Sequence, residues 1–326
     1  MSLDQFGRNI HYLRISLTDQ CNLRCRYCMT ENMVFRPRED LMRNDEIIRL
    51  AGIFSELGFN KYRLTGGEPT IRQDIVPLVA DLTALPGVQE VAMTTNGILL
   101  KHLAAPLKKA GLSRLNISID SLDPAKFKQI TRWGNFQDVW SGMMMAEELG
   151  YRIKINCVPV RGINDTDDVV SLARLSLAHN WQVRFIEMMP FGATSEFQQS
   201  RVVTQSELMA TIESGLGKLS PVNEGKLDGE ARCYRLAGAP GQIGFISSVS
   251  APFCAGCNRA RLTADGVLRL CLLREKELPL LPLLRGGAED LEIKTLIQDS
   301  IWFKPWGHGL ADKIIPRNRL MSEIGG

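Results

Sequence analysis

Six strand-like segments, each followed by a stretch of helical periodicity, fill the first two-thirds of this 326-residue chain. The strand-like segments are Tyr12–Thr18, Lys61–Thr65, Gln89–Thr95, Arg114–Asp120, Arg152–Pro159 and Gln182–Met188. Asp45–Leu57 is representative of the intervening segments. Ile47, Leu50, Ala51, Phe54 and Leu57 recur at helical spacing, Asn44 is placed to cap the N-terminus, and Gly58 suits the position just past the C-terminus. Asp165 similarly opens a helix running to His179. Regular strand–helix alternation leads to a parallel sheet, because parallel neighbours need a crossover between them. The expected fold class is therefore α/β, and six such units rolled up make an incomplete (β/α)6 TIM-like barrel.

After Pro190 the pattern changes. Phe191–Ser200 reads as a loop, and Thr204–Gly215 as a helix opened by Thr204 with Glu207 three residues on. Lys218–Gly229 is a polar connection, followed by short strand-like runs at Cys233–Leu236 and Gln242–Val249. Arg261–Cys271 is centred on Asp265-Gly266, a two-residue hairpin signal. Ala288–Phe303 reads as a helix, and the segment from Lys304 to Gly326 is basic. Residues 1–218 are thus expected to form the partial barrel, and 219–326 a small α+β extension whose tail closes it.

A net charge of +3 makes no case for bulk nucleic-acid binding, so any anion site must come from a local group of Arg or Lys. No apolar run reaches membrane-span length, and Met1–Asn9 is polar without a signal-peptide pattern, which points to a cytoplasmic protein. In that compartment, eight cysteines are more readily metal ligands than disulfides.

Chemistry in parallel α/β folds gathers at the C-terminal ends of the strands. Here those ends carry the cysteine loop after strand one, Thr65-Gly66-Gly67-Glu68-Pro69, Thr94-Thr95-Asn96-Gly97, Ser118-Ile119-Asp120, Lys154-Ile155-Asn156 and Glu187-Met188-Met189-Pro190. Polar and glycine-rich ends read as the rim of one cavity.

Cys21, Cys25 and Cys28 are spaced C-x3-C-x2-C, and Cys254, Cys257 and Cys271 form a second local set. Three thiolates can hold three corners of a cluster and leave one metal open. Structural zinc usually takes four Cys or His ligands, and no His lies near the first set. An iron–sulfur cluster with one non-cysteine corner fits best, with a zinc-stabilised binding module as the alternative. Cys157 and Cys233 read as small buried hydrophobes.

The cysteine loop with Tyr27 before its last Cys, together with Gly66-Gly67-Glu68-Pro69, resembles the radical S-adenosylmethionine (SAM) superfamily. Arg14–Cys25, Arg63–Pro69, Thr94–Gly97, Arg184–Pro190, Cys254-x-x-Cys257-Asn258-Arg259-x-Arg261-Leu262, Cys271 and Gly325-Gly326 narrow the resemblance to the GTP 3′,8-cyclase family. Gln20 and Met188 depart from residues frequent in that family, and neither is a ligand position.

The resemblance implies two [4Fe–4S] clusters, one on Cys21, Cys25 and Cys28, the other on Cys254, Cys257 and Cys271. The first would chelate SAM and cleave it to a 5′-deoxyadenosyl radical, with Tyr27, Gly67, Ser118 and Met189 lining the cofactor. The second would hold the guanine of GTP, with Arg14, Arg63, Thr94, Lys154, Arg259, Ala260 and Arg261 around the substrate, and Arg14, Arg259 and Arg261 as the catalytic set. The implied reaction abstracts hydrogen from C3′ and closes a bond to C8, the first step of molybdenum cofactor biosynthesis. The implied partners are a reduced flavodoxin- or ferredoxin-type electron donor, the next pathway enzyme (cyclic pyranopterin monophosphate synthase) and a second copy of the chain. Another radical SAM enzyme with an auxiliary cluster, such as a peptide modifier, is the rival enzyme reading. Gly325-Gly326 would reach into the active site.

Overall fold

The computed structural model describes residues 2–192, 195–310 and 315–325. All six expected strands form: β1 (Tyr12–Ser16), β2 (Lys61–Thr65), β3 (Glu90–Thr95), β4 (Arg114–Ser118), β5 (Arg152–Cys157) and β6 (Gln182–Ile186). They pair in parallel in sequence order. β1, β4, β5 and β6 each stop two residues before the end expected from sequence. The overhanging Leu17, Ile119 and Met188 are still buried, so their apolar signal continues after the ladder has ended.

The crossovers are α1 (Asn44–Glu56), α2 (Ile75–Ala84), α3 (Leu100–Lys109), the pair α4 (Pro124–Thr131) and α5 (Phe136–Glu148), and α6 (Asp167–Ala178). They pack their apolar faces against the sheet, and Leu50, Phe54, Leu64, Leu82, Leu107, Leu115, Met143 and Leu172 are fully buried there. Two caps differ from expectation. Arg43, not Asn44, precedes α1, because Glu46 accepts from the Arg43 amide (2.7 Å) while Asn44 accepts from Arg72 (2.7 Å). Thr166 precedes α6, since Asp165 is occupied by the Gly162 amide. Gly58 does take the left-handed conformation, with φ +95°.

Beyond β6 the reading from sequence needs three corrections. A short helix, α7 (Ser195–Gln199), interrupts the expected loop. The Lys218–Gly229 connection contains β7 (Leu219–Pro221) and β8 (Leu227–Asp228). The hairpin between β11 (Arg259–Leu262) and β12 (Val267–Arg269) turns through Thr263–Gly266 rather than two residues, because Leu262 pairs with Leu268 and Thr263 closes the turn with Val267 and Gly266. The helix α8 (Gln205–Leu216) has the expected capping box between Thr204 and Glu207.

The late strands extend both edges of the barrel sheet. β10 (Gln242–Ile246) adds in parallel to β6, and β11 adds in parallel to β1. Eight parallel strands result, in the order β11-β1-β2-β3-β4-β5-β6-β10. β9 (Ala231–Leu236) joins β10, and β7 and β8 join β9, while β12 and β13 (Glu277–Pro279) extend the other edge, all antiparallel. The two outer edges do not pair, so the sheet is an open, incomplete barrel. α9 (Leu281–Arg285), α10 (Asp290–Trp302) and α11 (Met321–Ile324) complete the described helices. No helix among the described residues is long and apolar enough to cross a membrane.

Candidate active site

The register of three neighbouring strands places Arg14 of β1 beside Arg63 of β2 on one side and Arg261 of β11 on the other. Residues in register on adjacent strands face the same way, and like charges there repel. All three guanidinium groups are nonetheless buried, as is Arg184 on β6. Such a group is built for anions. The side-chain oxygen of Asn116, turned toward Arg63 (2.6 Å) and Arg184 (3.0 Å), braces two of them. Burial pushes Arg184 down to about 9, with Arg63 and Arg114 adding to the effect and Glu230 opposing it.

These arginines line a cavity of about 330 Å³ at the C-terminal ends of the strands. Both cysteine sets line the same cavity. The first set sits on the loop after β1. Arg24 organises this loop: it donates to the carbonyls of Cys21 (2.7 Å) and Leu23 (2.8 Å), and its guanidinium lies over Phe35 and Trp133. Tyr27 donates to Asp120 (2.7 Å), and Gln198 of α7 donates to the Tyr27 carbonyl (2.9 Å). The Leu23 amide donates to Cys21 Sγ (3.3 Å).

The three thiols are free, and burial pushes Cys21 up to about 11, Cys28 to about 12 and Cys25 well above its ordinary value. Three buried thiolates in one loop need a multivalent cation beside them. Among the described residues no three His, Cys, Asp or Glu side chains are gathered to hold a single metal ion. Three thiols on one loop, without a fourth Cys or His beside them among the described residues, fit a cluster with one open corner better than four-ligand zinc.

The Gly66-Gly67 pair lets the end of β2 pass against this loop. The Gly67 amide donates to the Thr18 carbonyl (2.7 Å), and a Cβ at Gly67 would lie 2.1 Å from the Gln20 carbonyl oxygen. Glu68 is buried beneath and accepts from Thr70 (3.0 Å to the amide), Thr95 (2.7 Å) and the Asn96 amide (2.6 Å), which locks the ends of β2 and β3 together. Asn96 in turn donates to Asn22 (2.7 Å).

Cys254 and Cys257 flank a short turn, and Cys271 follows β12. Arg8 donates to the carbonyls of Cys254 (2.8 Å), Trp306 (2.8 Å) and Pro305 (2.8 Å), tying the N-terminal segment to the turn. The Lys304 ammonium is buried against the carbonyls of Arg259 (2.8 Å) and Leu270. Burial raises the Cys257 thiol, but Lys304 and Arg259 outweigh it and hold the group at about 7. A thiol so poised fits a ligand that must bind as thiolate.

Residues 15–175 match the family model of the radical SAM superfamily, and residues 181–310 match that of Molybdenum Cofactor Synthesis C. A GTP 3′,8-cyclase of Heliobacterium modesticaldum is 44% identical over 331 residues, covering 99% of this chain and 100% of the relative. One of Thermodesulfovibrio yellowstonii is 43% identical over 326 residues, covering 99% of each. The chain belongs to the GTP 3′,8-cyclase family. It is accordingly a radical SAM enzyme. A solved structure of Streptococcus suis SuiB bound to precursor peptide SuiA has a TM-score of 0.63 at 15% identity, covering 92% of this chain and 66% of that one, which is a likeness of fold.

Seen as a member of the GTP 3′,8-cyclase family, the chain brings most of its candidate residues to one place. Arg14, Tyr27, Arg63, Gly67, Thr94, Ser118, Met189, Arg259 and Arg261 line the main cavity with the six cysteines. Lys154 does not. It lines a smaller, polar cavity of about 180 Å³ beside Arg63, Arg184 and Arg259. Ala260 packs into the hydrophobic core, as strand alternation between Arg259 and Arg261 requires. Gly325 lies against Ser16 and Thr65 at the cavity, and its carbonyl accepts from Arg261. Gly326 lies outside the described residues.

Sequence reasoning missed four side chains here. Arg184 stands in the Arg184–Pro190 strand-end motif that carried the family resemblance, which was its available signal. Asn116 and Lys304 carry no local motif. Glu230, one residue past the Lys218–Gly229 connection, accepts from Arg259 (2.6 Å) and Arg14. Burial would raise its carboxyl, but Arg259, Arg14, Arg63 and Arg184 hold it well below the usual range.

Proposed function

We propose that the chain performs its family's reaction: cyclisation of GTP to 3′,8-cyclo-7,8-dihydro-GTP by hydrogen abstraction from C3′ and bond formation to C8, opening molybdenum cofactor biosynthesis. The observation that carries this reading is one cavity lined by two separate cysteine triplets with buried arginines between them. Cys21, Cys25 and Cys28 would hold the cluster that works with SAM, and Cys254, Cys257 and Cys271 a second cluster at the guanine end. When bound, these groups supply the hydrogen-abstracting radical and a metal to hold the base.

The chain's own residues position and shield. Arg14, Arg63, Arg184, Arg259 and Arg261, with Lys154, supply guanidinium and ammonium donors to the triphosphate, and Thr94 a hydroxyl; Arg suits this by its bidentate fork. With the triphosphate fixed at one end and the guanine at the other, the ribose is held between them, facing the first cysteine loop. Tyr27, Gly67, Ser118 and Met189 line the cofactor side. Phe191, Leu273 and Ile324 form an apolar wall beside Met189 that keeps water from a reactive intermediate. Ala260 is itself buried and lines neither cavity, so its neighbours Arg259 and Arg261 face the substrate.

A reduced flavodoxin- or ferredoxin-type donor, hand-over to cyclic pyranopterin monophosphate synthase, a homodimer and a cytoplasmic location complete the reading. Its test is anaerobic reconstitution with iron and sulfide. About eight of each per chain are expected, and Cys25→Ala and Cys257→Ala should each leave about four. Cys25→Ala should also abolish reductive cleavage of SAM. Zinc without sulfide, or SAM cleavage by Cys25→Ala, overturns the reading.

A further inference from the structure

The anion pocket already contains two carboxylates of its own. Glu230 bridges Arg14 and Arg259, and Asp228, two residues earlier, accepts from Lys154 (3.3 Å) and Gln182 (3.0 Å). Three of the cations that a triphosphate would use are therefore paired with a single short segment of the chain.

That segment is the tip of a hairpin. Asp228 pairs with Ala231, which leaves Gly229-Glu230 as a two-residue loop, and Gly229 has φ +64°. Glycine at the first loop position is what such a tight turn requires. The hairpin is weakly held. β8 is two residues long, both are exposed, and it pairs with β9 alone. A ribbon of that length contributes little stability by itself. The tip can swing away while β9 remains fixed between β10 and β7.

The pocket meanwhile has more donors than the two carboxylates satisfy. Arg14 Nε and Arg63 Nε are buried without a hydrogen-bond partner among the described residues. A buried, unsatisfied guanidinium N–H is costly, and a polyphosphate brings more acceptor oxygens than one carboxylate can.

We infer that Asp228 and Glu230 form a built-in substitute for phosphate, which keeps the arginine group neutralised in the empty enzyme and is displaced when the substrate's triphosphate enters. This rests on the reading of the pocket as the triphosphate site. The Gly229-Glu230 tip is then an exchange gate. Uncharged guanosine has nothing to offer in exchange, whereas a polyanion does.

The test uses anaerobically reconstituted protein and equilibrium binding of GTP, inorganic tripolyphosphate and guanosine. Glu230→Gln should bind GTP and tripolyphosphate about tenfold more tightly, the worth of one charge-assisted hydrogen bond. Guanosine binding should be unchanged. The empty variant should melt below the wild type and recover on addition of tripolyphosphate. Asp228→Asn is more exposed and gives a second variant with the same direction and a smaller effect. Unchanged or weaker polyphosphate binding by both variants overturns the proposal, including the case in which weakening appears only with Mg²⁺ and the carboxylates stay as metal ligands. Arg63→Ala separates the two readings. If it weakens GTP binding while Glu230→Gln fails to tighten it, the pocket is a phosphate site and the exchange alone is wrong. If Arg63→Ala has no effect and neither protein binds tripolyphosphate, both readings fall.

Discussion

Arg261 donates a hydrogen bond to the carbonyl oxygen of Gly325, 2.5 Å away, joining a strand of the barrel edge to the last described residue of the chain. Gly325 adopts φ +80°, and a Cβ there would lie 2.8 Å from Thr65 Cγ2 and 3.2 Å from Ser16 Cβ. Gly325→Val is therefore expected to push the tail out of the cavity. Left-handed backbone costs a side-chain-bearing residue about 1–2 kcal/mol, so turnover of GTP should fall by about tenfold or more. Thermal melting should barely move, because the tail is a small part of the core. Steady-state kinetics beside a melting curve checks this, and unchanged turnover would show that the tail does not matter.

At Gly67 the expectation is harsher. Its missing side chain makes room for the Gln20 carbonyl, which is backbone and cannot step aside. Gly67→Ala should displace the cysteine loop and halve the iron retained per chain, leaving about four of about eight. Iron and sulfide analysis measures it. Full iron content would mean that the loop tolerates the shift.

Lys154 gives a pH signature. Burial pushes its ammonium down to about 8, Arg184 adds to this and Asp228 opposes it. The protonated form attracts phosphate, so GTP affinity should be full below pH 8 and decline as pH rises through that value. A charge-assisted hydrogen bond is worth enough for about a tenfold loss. Lys154→Arg, which stays charged, should flatten the decline, and Lys154→Gln should be weak at every pH. A profile that is identical in all three would remove Lys154 from the substrate's surroundings.

The capping box of α8 makes a prediction about stability alone. Thr204 and Glu207 bond each other's backbone amides, and the Thr204 hydroxyl and amide, together with Arg161, donate to the Glu207 carboxyl and hold it at about 2. Because this value lies below the ordinary 4.5, the stabilisation is complete above about 4.5 and is lost as pH falls toward 2. Thr204→Ala should cost about 1 kcal/mol at pH 7, read from urea unfolding midpoints. Glu207→Gln should be destabilising at pH 7 and converge on the wild type in acid.

This box illustrates what the sequence made legible. Signals confined to a few neighbouring residues came through: the cap at Thr204, the left-handed Gly58, the six strands and the cysteine spacings. Signals that depend on remote pairing did not. β10 and β11 are five- and four-residue strands whose partners, β6 and β1, lie about 60 and 250 positions earlier, so nothing local marks them as parallel edges. Glu230 is the extreme case, because its role exists only once Arg14 and Arg259 have been brought to it from both ends of the chain. Ala260 shows the converse, a position placed by motif adjacency whose side chain the strand alternation sends to the core.

The central claim is that this cavity holds GTP with C3′ facing the radical source. GTP carrying deuterium at C3′, incubated anaerobically with the reconstituted protein, SAM and a reductant, tests it in one mass measurement. The account predicts 5′-deoxyadenosine one mass unit heavier, formed together with a cyclised isomer of GTP. Unlabelled 5′-deoxyadenosine, or labelled nucleoside without the cyclised product, would contradict it.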